Sequence, residues 1–377
     1  MSMGLALLLT GSGASAQLSD REAKLPLTLS CGAWGSPAGH LQGIVCDDQN
    51  NFLYASFTDR LVKVDMKTGE IVASVTGLLS GGIYGGGAHL GDLAFYGGKV
   101  YGSLEYKAAE KFYVAVFDTS KMTEMDMDYK TSGIMTTLYM GEVVKDYRDD
   151  LSAGGHENAT SSMGHRHGCS GIDGITFGTM PGDASEKIYM MLAYGVYGNT
   201  QRHDNDYQVI LAFDPDTFAP KAFDQNNPHE DGPAYVAKLF VYTGNTTYGV
   251  QNLEYDRDTG DYWLIVYEGK KDQFPNYPVY LIDGSKAPVE KTLALGEGRD
   301  YGDRKGLCLT LKEKGTYHEE SGIWGVNKMP GKADTGFISL GNGFFYVAES
   351  GKTGGEQYGK VFLYKVDHNT CLFTKVQ

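Results

Sequence analysis

The sequence predicts an all-β chain, and three observations carry that expectation. The 377 residues include 51 Gly, 26 Tyr and 16 Phe against only 33 Lys+Arg, a supply of turn and strand formers. No window of about twelve residues repeats its apolar positions with the period of a helix. Strand-like runs instead recur in groups of three or four, punctuated by turn signals.

The first expected group is Gln42–Asp47, Phe52–Phe57, Leu61–Asp65 and Glu70–Val75, and the second is Gly91–Tyr96, Val100–Glu105, Phe112–Phe117 and Ile134–Met140. The third reads Ser170–Phe177, Lys187–Leu192, Tyr207–Asp214 and Tyr235–Tyr242. The fourth reads Val250–Asp256, Tyr262–Tyr267, Val279–Ile282 and Lys291–Leu295. The last has Gly336–Leu340, Phe344–Ala348 and Lys360–Val366, completed by Leu372–Val376 or by the N-terminal Leu27–Cys31. Third strands end in Asp before a short turn, at Asp65, Asp118, Asp214 and Asp283. A four-stranded meander of this kind cannot bury both faces alone, so its copies stack in a ring. The expectation is therefore a single β-propeller of four-stranded blades over residues 17–377. Five modules are counted, and Leu307–Leu311 and Gly322–Asn327 leave room for a sixth or seventh.

Residues 1–16 contain the apolar run Leu5 to Leu9 and end in Ala14-Ser15-Ala16, the pattern of a signal peptide, so the chain is expected to be secreted or periplasmic. No apolar run is long enough to span a membrane. The formal charge of −14 argues against nucleic acid as a partner, because phosphate contacts need a basic face. Cys31, Cys46, Cys169, Cys308 and Cys371 form no closely spaced pair, which leaves a zinc ribbon unsupported. Cys31 and Cys371 lie near opposite ends of the chain, and a bridge between them is possible if the ring closes there. Nucleophile elbows, phosphate-binding loops and His-Glu-x-x-His zinc helices are missing from the sequence.

In a meander ring the connections alternate between two faces. The tight turns fall on one face, while the long loops with six of the nine histidines (His40, His89, His156, His165, His167 and His203) fall on the other. Side chains where inner strands begin converge on the central channel, a natural substrate site. His40, His89 and His167 precede inner strands of three modules, so they are candidates for a general base or, as His40, His165 and His167, for holding one divalent ion, Zn or Ca. Arg166 is placed to clamp a carboxylate. Asn245, Tyr248 and Gln251 at one strand start, with Tyr106, Tyr194 and Tyr277 from other blades, suit sugar hydroxyls and rings. Lys107, Lys270, Lys271, Arg166 and Arg202 gather the basic charge that could guide an anionic oligo- or polysaccharide.

The chain resembles secreted bacterial propeller proteins in the stretches Gln42–Ile44, Tyr101–Tyr106, His165–Gly174 and Tyr242–Asn252. In architecture and residue types it is also similar to propeller-fold polysaccharide lyases acting on uronic-acid glycans, an analogy of fold. That resemblance implies a metal-free or metal-assisted β-elimination by a monomer. His89 and His167 would be base and acid, Tyr106 or Tyr248 an alternative acid, and Arg166 with Asn245 the carboxylate neutralisers. His40, Gln251, Tyr194, Arg202, Lys107 and Lys270 would bind substrate. Two alternatives stay open: a metal-dependent hydrolase using Glu105, Asp173 and Glu254 as ligands, and a non-catalytic glycan-binding ring.

Overall fold

The computed structural model describes residues 25–30, 39–49, 51–78, 88–148, 165–202, 204–293, 305–331, 333–353 and 356–376; the expected leader at 1–16 lies outside them. Five antiparallel sheets make five blades, and each starts at an inner strand beside the channel. The inner strands are Leu41–Cys46, His89–Tyr96, Cys169–Thr179, Thr247–Tyr255 and Phe337–Gly341. The first four strands of the first three blades run outward in sequence order to Ile71–Thr76, Met135–Tyr139 and Tyr235–Tyr242, and further short strands add to each outer edge. The count is thus five, and the expected sixth or seventh blade is absent among the described residues.

Each third strand ends in an Asp whose carboxylate accepts the backbone N–H two residues on: Asp65 from Lys67, Asp118 from Ser120, Asp214 from Asp216, Asp283 from Ser285 and Asp367 from Asn369. These are Asx turns, in which the short side chain imitates a backbone acceptor and reverses the chain. One recurs in every blade, which accounts physically for the Asp repeat seen in the sequence.

Aromatic pairs fill the seams between blades. Tyr54 stacks near Phe95 (6.3 Å between centroids), Tyr96 on Phe177 (4.5 Å), and fully buried Trp263 lies against Phe337 and Phe345 (6.2 and 6.0 Å). Such pairs contribute about 0.5–1.5 kcal/mol each beyond their area.

The fourth blade departs from expectation. Val289–Thr292, overlapping the strand expected at Lys291–Leu295, instead joins the third blade's sheet through Lys305–Leu309. All four of its residues are exposed, so no inward face tied it to the fourth blade. The fourth blade keeps three strands, and single bridges from Leu311 and Val326 edge its outer strand. The fifth blade takes both expected completions. Its long strand Glu356–Asp367 pairs with Leu27–Ser30 and with Leu372–Lys375. Cys46, Cys169, Cys308 and Cys371 are free thiols, so Cys371 makes no bridge; Cys31 lies outside the described residues.

The channel is crossed by a polar tie. Asp92 Oδ2 accepts the N–H groups of Ile175 and Leu253, each at 3.0 Å, and its Oδ1 accepts from Asn252 Nδ2 at 2.8 Å. Asn252 Nδ2 also donates to the Gln42 carbonyl at 3.2 Å. Four inner strands are joined at this hub, and burial pushes the Asp92 carboxyl up to about 8 against the opposing pull of those N–H groups. The longest helix among the described residues, Gly141–Arg148, has eight residues, and none is long and apolar enough to cross a membrane.

Candidate functional site

Above the tie, at the starts of the inner strands, a cavity of about 370 Å³ opens on the long-loop face. His40 and Gln42 reach it from the first blade, and His89, Glu105 and Lys107 from the second. Ser170 and Asp173 come from the third blade, Tyr248, Gln251 and Tyr267 from the fourth. Irregular register explains this convergence. Pairing slips between Leu41 and Gly43, between Leu90 and Leu93, twice between Cys169 and Ile175, and twice between Thr247 and Asn252. A bulge re-aims a side chain that strict alternation would send into the sheet.

His89 Nδ1 is buried 3.5 Å from Glu105 Oε1, while its side chain keeps 30% of its exposure, so the accessible part is the rest of the ring with Nε2. The Glu105 carboxylate is buried. It accepts the Ile172 N–H at 3.2 Å and pairs with Lys107 Nζ at 3.0 Å. Burial lowers the His89 pKa more than Glu105 raises it, which keeps the imidazole neutral near pH 7 and able to accept a proton. Burial works downward on Lys107, and Glu105 more than offsets it, so the ammonium persists. Gln42 Nε2 lies 3.0 Å from His40 Nε2, and since an amide nitrogen only donates, this ring nitrogen accepts. Burial lowers His40 as well. Tyr248 is exposed at the rim with φ of 66°, a left-handed backbone rare for a bulky residue, followed by Gly249 at 77°.

Asp173 forms the floor. Counting from the Gly-Ile, Asp-Leu and Asn-Leu steps of the inner strands, Gln42, Gly91, Asp173 and Gln251 hold matching places. Three of them carry polar side chains into the cavity, while Gly91 carries none. A Cβ at Gly91 would collide with Asp173 Oδ1 and lie 2.5 Å from Ser103 Oγ, so the Asp173 carboxyl occupies the space this glycine leaves.

No protein-family model matches the chain, and no curated protein matches it. Among solved structures it is similar to a glycoside hydrolase, at 12% identity over 89% of this chain and 62% of that chain, with a TM-score of 0.38. It is also similar to the PQQ domain of pyranose dehydrogenase from Coprinopsis cinerea (15% identity, 84% of this chain and 81% of that chain, TM-score 0.34). A third likeness is to a luciferin-regenerating enzyme (10% identity, 89% and 95%, TM-score 0.31). At such identities and scores these likenesses assign no activity to this chain.

Several residues expected at the site are held elsewhere. Arg166 is buried 3.5 Å from Asp146, and Asp146 also pairs with Lys238 and accepts from Tyr194 Oη at 2.9 Å. His167 is buried edge-on to Phe240, and burial, then Lys238, holds its pKa well below the usual value. It stands six residues before Asp173, whereas His40 and His89 stand two before Gln42 and Gly91, so it belongs to a different step of the repeat. His165 Nδ1 bonds the Cys169 carbonyl, and its ring packs between Tyr147 and Tyr197. Arg202 is paired with Asp204, and Lys271 with Asp206. Asn245 is buried and accepts the backbone N–H groups of Lys270 and Lys271. Tyr106 is buried against Phe223 and accepts from Gln225; Tyr277 packs beside Tyr280. Thus the expected basic cluster is largely neutralised inside the fold, and Lys107 is the member that lines the cavity. His156 and His203 lie outside the described residues.

The imidazoles of His40, His165 and His167 do not come together as a metal set. Among the described residues, the group of three able to hold an ion is Asp256, Asp258 and His368. Asp256 follows the end of an inner strand whose start forms the cavity, so this group stands at the far end of the channel. Glu254 lines a second cavity there, of about 150 Å³, with Asp47 and Arg257, which separates it from Glu105 and Asp173. Sequence reasoning did not place Gln42 or Tyr267 at the site, and gave Glu105 and Asp173 only as alternative metal ligands. The matching positions in the inner strands were the signal that could have found Gln42 and Asp173.

Proposed function

We propose that the chain is an exported carbohydrate-active enzyme, a lyase that cleaves a uronic-acid glycan by β-elimination in the upper cavity. The observation that carries this reading is an accessible imidazole, ammonium and phenol on one cavity, with Glu105 buried behind the imidazole as its positioning residue. His89 Nε2 takes the proton from C5, and the Lys107 ammonium neutralises the uronate carboxylate, which stabilises the developing carbanion. The C4–O bond then breaks as the C4=C5 double bond forms, and Tyr248 gives its phenolic proton to the leaving oxygen. Hydrolysis by a carboxylate pair is less well supported, because the Glu105 side chain is only 4% exposed while His89 and Lys107 are reachable.

A divalent ion at Asp256, Asp258 and His368 would meet two carboxylates and an imidazole, a donor set that suits Zn rather than the all-oxygen coordination of Ca. Its position favours linking the fourth blade to the chain's last turn over contact with substrate.

Incubation with a panel of uronic glycans should raise the ultraviolet absorbance of an unsaturated uronate. His89→Ala should lower the rate by about 10²–10⁴, and the acid limb of the pH profile should fall below pH 6.5, the ordinary histidine value. Binding of a glycan without any such absorbance would leave a binding ring instead of an enzyme.

A further inference from the structure

We propose that Asp173 acts at the cavity floor as a neutral acid, a hydrogen-bond donor that takes one oxygen of a bound carboxylate and so selects a uronate over a neutral sugar. The inference rests on the uronate reading above and adds a specificity residue to it. Asp173 lines the cavity yet is only 8% exposed, and its Oδ1 is sealed from solvent without a hydrogen-bond partner. Ser103 Oγ, also sealed and unpartnered, crowds the same small space above Gly91. An ionised carboxylate can only accept, and a sealed anionic oxygen with no donor is costly to bury. Protonation neutralises the carboxyl and so lowers that cost, and a proton on the other oxygen supplies the donor to the ligand.

The surroundings favour the neutral form. Asp92 lies beneath, Glu105 lies to one side, and Lys107 pairs with Glu105 at 3.0 Å; His40, His89, Tyr248 and Tyr267 complete the titratable groups of the cavity. Burial first, then the negative charge of Glu105, pushes Asp173 well above the usual carboxylate range; Asp92 adds to this only once it ionises, and Lys107 and the Asp92 N–H oppose it. A carboxylic acid meeting a carboxylate shares a short charged hydrogen bond, stronger than any it makes with a sugar hydroxyl. A neutral hexose in the same place gains no such bond. The lower half of a uronate's recognition therefore falls to Asp173, and the upper half to Lys107.

The test is calorimetric titration of the full chain with D-glucuronate and with D-glucose, which needs no turnover. The wild type should prefer glucuronate by about ten- to hundredfold, the loss expected when one charged hydrogen bond is missing. That preference should fall as pH rises and Asp173 ionises. Asp173→Asn keeps the shape and a donor, so it should retain the preference and lose the alkaline fall, leaving only the acid-side titration of His89. Asp173→Ala should lose most of the preference and keep only the share that Lys107 supplies. Equal binding of the two sugars by the wild type, an undiminished preference in Asp173→Ala, or an alkaline fall that persists in Asp173→Asn overturns the proposal. If Asp173→Ala does not fold, the comparison of wild type with Asp173→Asn still decides. Glucuronate preference without unsaturated product would retire the lyase reading and keep this one.

Discussion

At the residue scale, the site depends on a side chain that is missing. Gly91 leaves the space that Asp173 fills, and Gly91→Ala forces a methyl group onto Asp173 Oδ1 and toward Ser103 Oγ. Overpacking of this kind costs about 1–3 kcal/mol, so the denaturation midpoint should drop and glucuronate binding should weaken with it. An unchanged midpoint would mean that the Asp173 side chain has room to swing away. The same scale shows which site residues were legible. His40 and His89 could be found because each stands at the start of an inner strand. Arg166, Arg202 and Lys271 could not be dismissed from sequence, because the acids that neutralise them, Asp146, Asp204 and Asp206, are set beside them by the fold or by local geometry. A charged residue read alone looks available whether or not a partner waits for it.

At the element scale, the turn chemistry made the blades legible and the edges did not. The Asp at each third-strand end works through its own backbone neighbours, so its signal survives in any context. Val289–Thr292 is exposed throughout, and nothing in its pattern says which sheet it borders. The bulges are harder still, since they arise from pairing between strands while the sequence reports one strand at a time. The fifth blade yields a prediction of its own. Leu29 is fully buried in a four-residue strand that seals the ring. Leu29→Ala should destabilise the chain by about 2–5 kcal/mol, read as a shift of the urea midpoint. A shift under about 0.5 kcal/mol, the level of an ordinary surface substitution, would show that this strand adds little to closure.

At the scale of the whole molecule, Asp92 ties the ring together and links its stability to pH. Its folded pKa of about 8 lies above the unfolded value of 3.8, so between these values the folded state holds the extra proton. Stability is then greatest at the acid end of that window and declines as pH rises toward 8, by at most about 1.4 kcal/mol per unit from this group. Denaturant midpoints taken from pH 5 to 9 should decline more steeply in the wild type than in Asp92→Asn. Parallel curves would remove Asp92 as the cause. The tie lies between the two cavities, and the upper one opens on the long-loop face.

The shared host strand in the fifth blade has one more consequence. Leu372 to Lys375 runs along Asp367 to Tyr364, the Val376 N–H donates to the Leu363 carbonyl, and Leu27 to Ser30 continues along Val361 to Tyr358. The late segment hands over to the early one in a single line, with about one position between them. The covalent order of the chain is thus a nick in a circle: joining residues 376 and 27 and opening the exposed Gly97-Gly98 turn would leave these strand pairings in place. A circularly permuted form is available to this fold without redesign of any blade.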